Sequence, residues 1–380
     1  RRHDVGMIPF GITAPGRILF GRGEAAKAPA LIRAFGSRVL VVHGANAARA
    51  AWLRISDAEV QALPCASEPT LTMLETSLRW TRGLGPQVVV GLGGGAVMDF
   101  AKALAALIPA SGGPMDHLEV VGKGLPLKAD PLPFIAVPTT AGTGAEVTKN
   151  AVIGLPDFGR KVSLRDDRMV ARLAIVDPAL TDYCPKAVTL ASGLDAVTQV
   201  IEPFVSLKAT PYTDALAGPA IGTGLEALMR LMQGEDAEAR DRMAWVSLCG
   251  GLALANAGLG AVHGLAGVIG GLTGAAHGAI CGALLGPVLA ANRKAAGGEA
   301  RERLNQVCTM LAEVLGSTAA KAPAALQAWA WAEGLPGLAA QGVAEEQHQG
   351  IVAAALEASS MKGNPVVLPE RDLRGILEAA

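Results

Sequence analysis

The side chains best suited to chemistry in this sequence are one acid, one amide and two imidazoles. His263 and His277 lie fourteen positions apart, each followed by glycine, in a stretch from Met243 to Asn292 without a single Asp, Glu, Lys or Arg. Imidazole nitrogen is a common ligand for zinc and iron. An unbroken helix would hold the two rings about 21 Å apart, whereas metal-ligand bonds are about 2 Å. A shared ion therefore requires a turn between them, which Gly270-Gly271 and Gly274 could supply. Asp195 and Gln199 have helical spacing and would present oxygen from one face. Gly193, beside Asp195, lets a ligand or another helix approach. Asp195, His263 and His277 form a three-ligand set with an open position, as a Lewis-acid centre needs. The competing reading makes each histidine an ordinary, satisfied core residue.

Two glycine-rich turns suggest what lies beside that centre. Val88-Val-Val-Gly-Leu-Gly-Gly-Gly-Ala-Val-Met-Asp-Phe-Ala-Lys102 reads as a buried strand, a turn and a helix. Gly93, Gly94 and Gly95 lack Cβ atoms, so backbone N-H groups and a helix N-terminus can approach a diphosphate. The sequence matches neither GxGxxG nor a P-loop, and a tight turn without a ligand is the alternative. Phe134 to Thr148 ends a second strand with hydroxyls at Thr139, Thr140 and Thr143, which suit a phosphate or a nicotinamide amide. Two such loops after neighbouring strands favour a dinucleotide.

The elements that must position these residues divide the chain. Val39–Val42, Val88–Val90, Phe134–Val137 and Ala174–Val176 are short apolar runs separated by helical patterns such as Leu71–Arg82 and Val97–Leu107. This rhythm predicts a parallel sheet covered on both faces, with ligands beyond the carboxyl ends of the strands. Past Asp177-Pro178 the pattern is helical, beginning with Ala187–Val205, Asp214–Met232 and Ala237–Ala257. The expected organisation is an α/β dinucleotide-binding domain at 1–184 with a parallel sheet, and an all-helical metal-binding and substrate domain at 185–380.

Composition narrows the function classes. The chain has 380 residues, is 51% hydrophobic, and carries 33 basic against 34 acidic side chains, a balance that argues against a nucleic-acid binder. The five cysteines are widely spaced with no CxxC pair and read as buried thiols of a reducing compartment. Asp4, Gly6, Pro9 and Pro15 interrupt every candidate leader run, so a cytoplasmic location is expected. Gly258–Leu289 is apolar enough to resemble a membrane span, but its frequent glycines, Asn256 nearby, His263 and His277 favour buried core helices and no membrane association.

Taken together, Gly93 to Lys102, Pro138 to Thr148, Gly193-Leu-Asp-Ala196 and the two His-Gly pairs resemble the iron-containing (group III) alcohol dehydrogenases. Phe20-Gly21, Glu68-Pro69-Thr70, Asp177-Pro178 and Asn364-Pro365 extend the resemblance over nearly the whole chain. It implies the dehydroquinate synthase-like two-domain fold with an active site in the interdomain cleft. It also implies Asp195, Gln199, His263 and His277 at the metal positions, the first, third and fourth being catalytic. The cofactor would meet Gly44, Asn46, Gly93, Gly94, Gly95, Asp99, Thr139, Thr140, Thr143 and Lys161. The implied activity is metal-assisted, NAD(P)-dependent hydride transfer between nicotinamide and a primary or secondary alcohol or its aldehyde. The resemblance also implies a homodimer or larger assembly, as is common among relatives.

Departures from the family pattern are specific. Gln199 stands where a fourth ligand is usually histidine, and an amide oxygen is a poorer ligand than imidazole; iron, zinc in a three-ligand site, and a metal-free site all remain open. Gly267 replaces a second histidine four residues after His263, and Ala96 replaces a serine of the glycine turn. The first strand ends without a carboxylate to bind ribose hydroxyls: Gly44 stands about where NAD-preferring relatives carry Asp, and Arg49 could hold a 2'-phosphate, which leans towards NADP. Two other readings compete, a non-catalytic or metal-free nucleotide-binding relative and a dehydroquinate synthase-like NAD/zinc lyase. The latter would need a basic cluster that residues 243–292 lack.

Overall fold

The structure is a computed structural model describing residues 9–380; Asp4 and Gly6 of the opening run lie outside it. The first half contains strands β1 (Ile18–Phe20), β2 (Arg38–His43), β3 (Glu59–Pro64), β4 (Val88–Gly93), β5 (Phe134–Pro138), β6 (Asn150–Leu155), β7 (Arg160–Arg165) and β8 (Leu173–Val176). Helices α1 (Ala28–Arg33), α2 (Leu71–Leu84), α3 (Gly95–Leu107) and α4 (Pro114–His117) lie between them. Six strands form one parallel sheet in the order β1-β8-β5-β4-β2-β3. Every residue of β4 and β5 is buried, as a sheet covered on both faces requires.

The four apolar runs read from the sequence are β2, β4, β5 and β8. β3 carries Glu59 and Gln61 and sits at the sheet edge, where half-exposed residues suffice, so it has no continuous apolar run. β1 is only three residues long. The antiparallel hairpin β6-β7 lies outside the main sheet and outside the strand-helix rhythm.

The second half is helical: α5 (Lys186–Val205), α6 (Pro211–Gln233), α7 (Ala237–Ala257), α8 (Ala261–Thr273), α9 (His277–Ala295), α10 (Gly298–Leu315), α11 (Ala322–Ala332), α12 (His348–Glu357) and α13 (Glu370–Ala379). α5 lies against α6, α7 and α9. It is buried continuously from Gly193 to Val205, which makes it the central helix. The charge-free stretch supplies core helices here: Val262, Leu265, Ile269, Ile280, Leu284 and Val288 belong to the helical core. Among the described residues no single helix is long and apolar enough to cross a membrane; α7 and α8 would be so only together, and they are bent by 99°.

The halves meet along α7. Ala244, Leu248 and Leu252 join Ala145 and Val147 in the core of the first half. Gly144, at φ +58°, and Gly251 bring the loop after β5 into backbone contact with α7, where neither position has room for a Cβ. Cys65, Cys249, Cys281 and Cys308 are buried as expected, Cys184 is half-buried, and all five are free thiols.

Candidate active site

The two glycine-rich loops are assembled by strand register. β4 and β5 pair with Gly93 opposite Pro138, so the loops that follow them leave the sheet side by side. The Thr139 N-H donates to the Gly93 carbonyl at 2.9 Å. Thr140 and Thr143 lie directly over the turn: a Cβ on Gly94 would come within 3.2 Å of Thr140 Oγ1, and one on Gly95 within 2.9 Å of Thr143 Oγ1. Gly94 caps α3 without a side-chain hydrogen bond, which leaves the first N-H groups of the helix to an anion.

Other expected cofactor residues lie in the loop after β2, on α3 and on β7. Gly44 follows β2 and has open space where a Cβ would stand. Asn46 Oδ1 accepts from the Ala48 N-H and begins a short helical turn that carries exposed Arg49. Lys161, on β7, reaches to 3.4 Å from Glu68 in the loop before α2. Asp99 and Lys102 have bracing partners: Asp99 accepts from the Val152 N-H of β6, and Lys102 Nζ donates to the Ala145 carbonyl and the Thr148 hydroxyl, each at 2.8 Å. Burial raises the Asp99 pKa and lowers that of Lys102, each moderated by the other's charge.

Asp195, His263 and His277 come together although they sit on three helices. Their approach is set by glycine. A Cβ on Gly278 would fall on the Ala191 carbonyl oxygen, so only glycine lets α9 lie against α5 and bring His277 to Asp195. Gly193 lets α6 in: its missing Cβ leaves room for Leu228. The chain reverses between the histidines at Gly274, which ends α8 at φ +68°. Gly270 and Gly271 make no turn; they stay helical, and their bareness lets α8 approach Lys161 and the Arg160 backbone.

His263 Nε2 lies 3.4 Å from Asp195 Oδ1, and His277 Nε2 lies 3.9 Å from the same oxygen. The imidazole centroids are 5.3 Å apart. Two residues that sequence reasoning missed complete the cluster. Glu202 Oε2 lies 2.6 Å from His263 Nδ1, and its other oxygen accepts from the Val262 N-H. With Glu202 accepting, Nδ1 carries a proton and Nε2 faces Asp195. Cys281, one turn after His277 on α9, places Sγ 3.6 Å from His277 Nε2. Periodicity held the clue to both: Glu202 is seven residues after Asp195 on one helix and Cys281 four after His277.

The donor atoms of Asp195, His263, His277 and Cys281 all lie within 4.8 Å of one another. Asp195 Oδ1 and His263 Nε2 are buried without a hydrogen-bond partner, a costly arrangement unless a cation satisfies both. The donor set therefore fits a divalent metal. Without one, mutual charges shift every member. Burial disfavours the His263 and His277 imidazolium forms, but Cys281 and the nearby carboxylates outweigh it, raising His277 to about 9 and His263 well above its usual range. Burial opposes ionisation of Cys281 and Asp195, yet the imidazoles hold both below their ordinary values. A bound cation would displace these protons.

Gln199 joins the cluster to the loop after β5. One turn after Asp195, its Nε2 donates to the Thr143 carbonyl at 2.6 Å and to the Gly142 carbonyl at 3.3 Å. That leaves Oε1 as its ligand atom. Gly267 has nothing within 4 Å of where a Cβ would stand.

Known proteins share this arrangement of domains and motifs. Iron-containing alcohol dehydrogenase matches residues 15–178, and the family's C-terminal region matches residues 189–380. The chain belongs to the iron-containing alcohol dehydrogenase family. Among relatives of this family, the NAD-dependent methanol dehydrogenase of Bacillus methanolicus is 35% identical over 301 residues, covering 77% of this chain and 76% of that protein. Long-chain-alcohol dehydrogenase 1 of Geobacillus thermodenitrificans is 40% identical over 204 residues, or 53% of this chain and 51% of its own length. A crystal structure of 1,3-propanediol oxidoreductase superposes with a TM-score of 0.88 at 27% identity, covering 98% of this chain and 99% of the other. The fold is thus that of the iron-containing alcohol dehydrogenases, an α/β half with a parallel sheet followed by a helical half.

Proposed function

We propose that this chain is an NAD(P)-dependent alcohol dehydrogenase or aldehyde reductase acting in the cleft between units 1–184 and 185–380, on small alcohols or aldehydes. The reaction moves a hydride between the carbinol carbon and nicotinamide C4. A bound iron or zinc ion supplies Lewis acidity to the substrate oxygen. Asp195, His263 and His277 hold that ion; the Asp195 carboxylate supplies charge and the two imidazoles fix its position. Gln199 is a neighbouring donor on the same helix. Glu202 keeps His263 in the tautomer that can bind.

The rest of the chain orients the reactants. The Gly93–Gly95 turn and the free N-terminus of α3 take the pyrophosphate, and Thr139, Thr140 and Thr143 line the nicotinamide side. Gly44, Asn46 and Arg49 meet the adenosine ribose, where the absence of a carboxylate favours NADP. Gly267 leaves no side chain to relay the proton released in alcohol oxidation, so water or a ribose hydroxyl carries it. That same gap admits a substrate bulkier or more polar than ethanol.

The observation that carries this reading is the orphaned pair Asp195 Oδ1 on α5 and His263 Nε2 on α8, buried 3.4 Å apart, with Gln199 of α5 gripping the Thr143 loop. A panel of alcohols and aldehydes, followed by the absorbance of reduced cofactor, tests it together with elemental analysis. Asp195→Ala or His277→Ala should abolish turnover and leave cofactor binding nearly intact. Full activity in both variants would overturn the reading.

A further inference from the structure

Four donor atoms converge in the cluster, but one of them belongs to a side chain that the metal reading does not use. Cys281 is fully buried, and α9 carries it one turn beyond His277. Its Sγ lies with Asp195 Oδ1 and His263 Nε2, atoms of residues 1% and 7% exposed that have no other partner. A tetrahedral centre with bonds of about 2.1 Å to oxygen and nitrogen has edges of about 3.4 Å, lengthening to about 3.6 Å where one corner is a thiolate sulfur. The observed separations are 3.4 Å from Asp195 to His263, 3.9 Å from Asp195 to His277 and 3.6 Å from His277 to Cys281. The Gln199 amide nitrogen, meanwhile, is engaged by the Gly142 and Thr143 carbonyls.

We propose that Cys281 Sγ is a metal ligand in this chain and completes an Asp195-His263-His277-Cys281 donor set, with Gln199 serving the cofactor loop. The inference rests on the metal-assisted reading above and specifies its inner coordination. On binding, the Cys281 thiol gives its proton to solvent and the sulfur donates as thiolate. Two anionic donors then balance a divalent cation. A soft sulfur donor favours zinc over the harder, oxygen-preferring ions, so purified protein should retain zinc in preference to manganese or magnesium.

The test replaces the resident metal of the full-length protein with cobalt(II), whose visible bands report binding and whose near-ultraviolet charge-transfer band reports a thiolate ligand. The intact protein should show both. Cys281→Ala should keep the visible bands and lose the charge-transfer band, while Cys308→Ser, altered in α10 outside the cluster, should keep both. Zinc affinity of Cys281→Ala should fall by at least the roughly tenfold that loss of an outer partner costs. X-ray absorption of the zinc-loaded, unmutated protein decides the matter even where the variant fails to fold: one sulfur at about 2.3 Å supports the proposal. A shell of nitrogen and oxygen alone, with metal bound, overturns the role of Cys281 and leaves the metal-assisted reading standing. Failure to bind any divalent metal overturns both.

Discussion

Glu202 fixes His263. The carboxylate receives the Nδ1 proton at 2.6 Å and simultaneously accepts from the Val262 N-H, so both the ring and the first turn of α8 are tied to α5. Asn364 adds a second tie by accepting from the Ala261 N-H. Outer partners of this kind set the tautomer and basicity of a metal-binding imidazole.

Glu202→Gln should therefore lower metal affinity by about 10- to 100-fold. An amide can present its NH2 group to Nδ1, which favours the opposite tautomer and puts the proton on the nitrogen that should bind. Competition with a chromophoric chelator measures the change. Wild-type affinity in Glu202→Gln would show that the His263 ring is oriented by packing alone.

Under the proposed function, the loop after β2 sets cofactor preference. Gly44 has open space beside it, and Arg49 projects from the same loop into solvent. A charged hydrogen bond to a 2'-phosphate is worth about 1.5 to 3 kcal/mol. Arg49→Ala should thus raise the KM for NADPH by roughly tenfold or more and barely change that for NADH. Gly44→Asp should move preference the other way, because a carboxylate there bonds ribose hydroxyls and repels a phosphate. Steady-state kinetics with both cofactors check the pair; equal effects on NADH and NADPH would remove Arg49 from phosphate recognition.

The sheet and the central cluster were readable in different ways. β2, β4, β5 and β8 announced themselves because a strand buried on both faces needs an unbroken apolar run, and Asp195, His263 and His277 because polar groups stand out in a charge-free background. β3 was hidden by its edge position, and the β6-β7 hairpin by lying outside the parallel rhythm. Glu202 and Cys281 were legible only through helical periodicity, and only once the partner helix was known. The glycines were hardest to apportion. Gly274 turns the chain by its left-handed φ, whereas Gly270, Gly271 and Gly278 serve helix approach, a distinction that depends on neighbours from distant parts of the sequence.

Two glycine substitutions separate those roles. In Gly278→Ala the new methyl would sit on the Ala191 backbone carbonyl, which has no rotamer to move to. Overpacking of that kind costs about 1–3 kcal/mol, and relief by shifting α9 carries His277 away from Asp195. Gly267→Ala meets open space in the interior of α8 and should stabilise the protein by about 0.5–1 kcal/mol through helix propensity. Urea midpoints and metal content measure both: Gly278→Ala should lose stability and metal together, Gly267→Ala neither. Unchanged metal content in Gly278→Ala would mean that the helix contact does not position His277.

Glu146 makes stability depend on pH in an unusual direction. It is buried in the loop after β5, and burial pushes its carboxyl from an ordinary 4.5 up to about 7, a rise that a backbone hydrogen bond and the Lys102 charge only partly offset. An acid with a raised folded-state pKa binds more protons folded than unfolded. Its contribution is therefore present below about pH 4.5 and is lost as pH climbs to about 7, a swing of roughly 3 kcal/mol at most. Lys102, lowered by burial, acts with the opposite sign, its contribution growing as pH rises through the span between its folded and unfolded values. Asp99, raised by burial, leaves a residual decline with the same sign as that of Glu146. Glu146→Gln should accordingly flatten the fall in urea midpoint between pH 4.5 and 7 without abolishing it. If the variant and the wild type fell in parallel across that window, the proton would belong to another group and Glu146 would be ionised in the folded protein throughout.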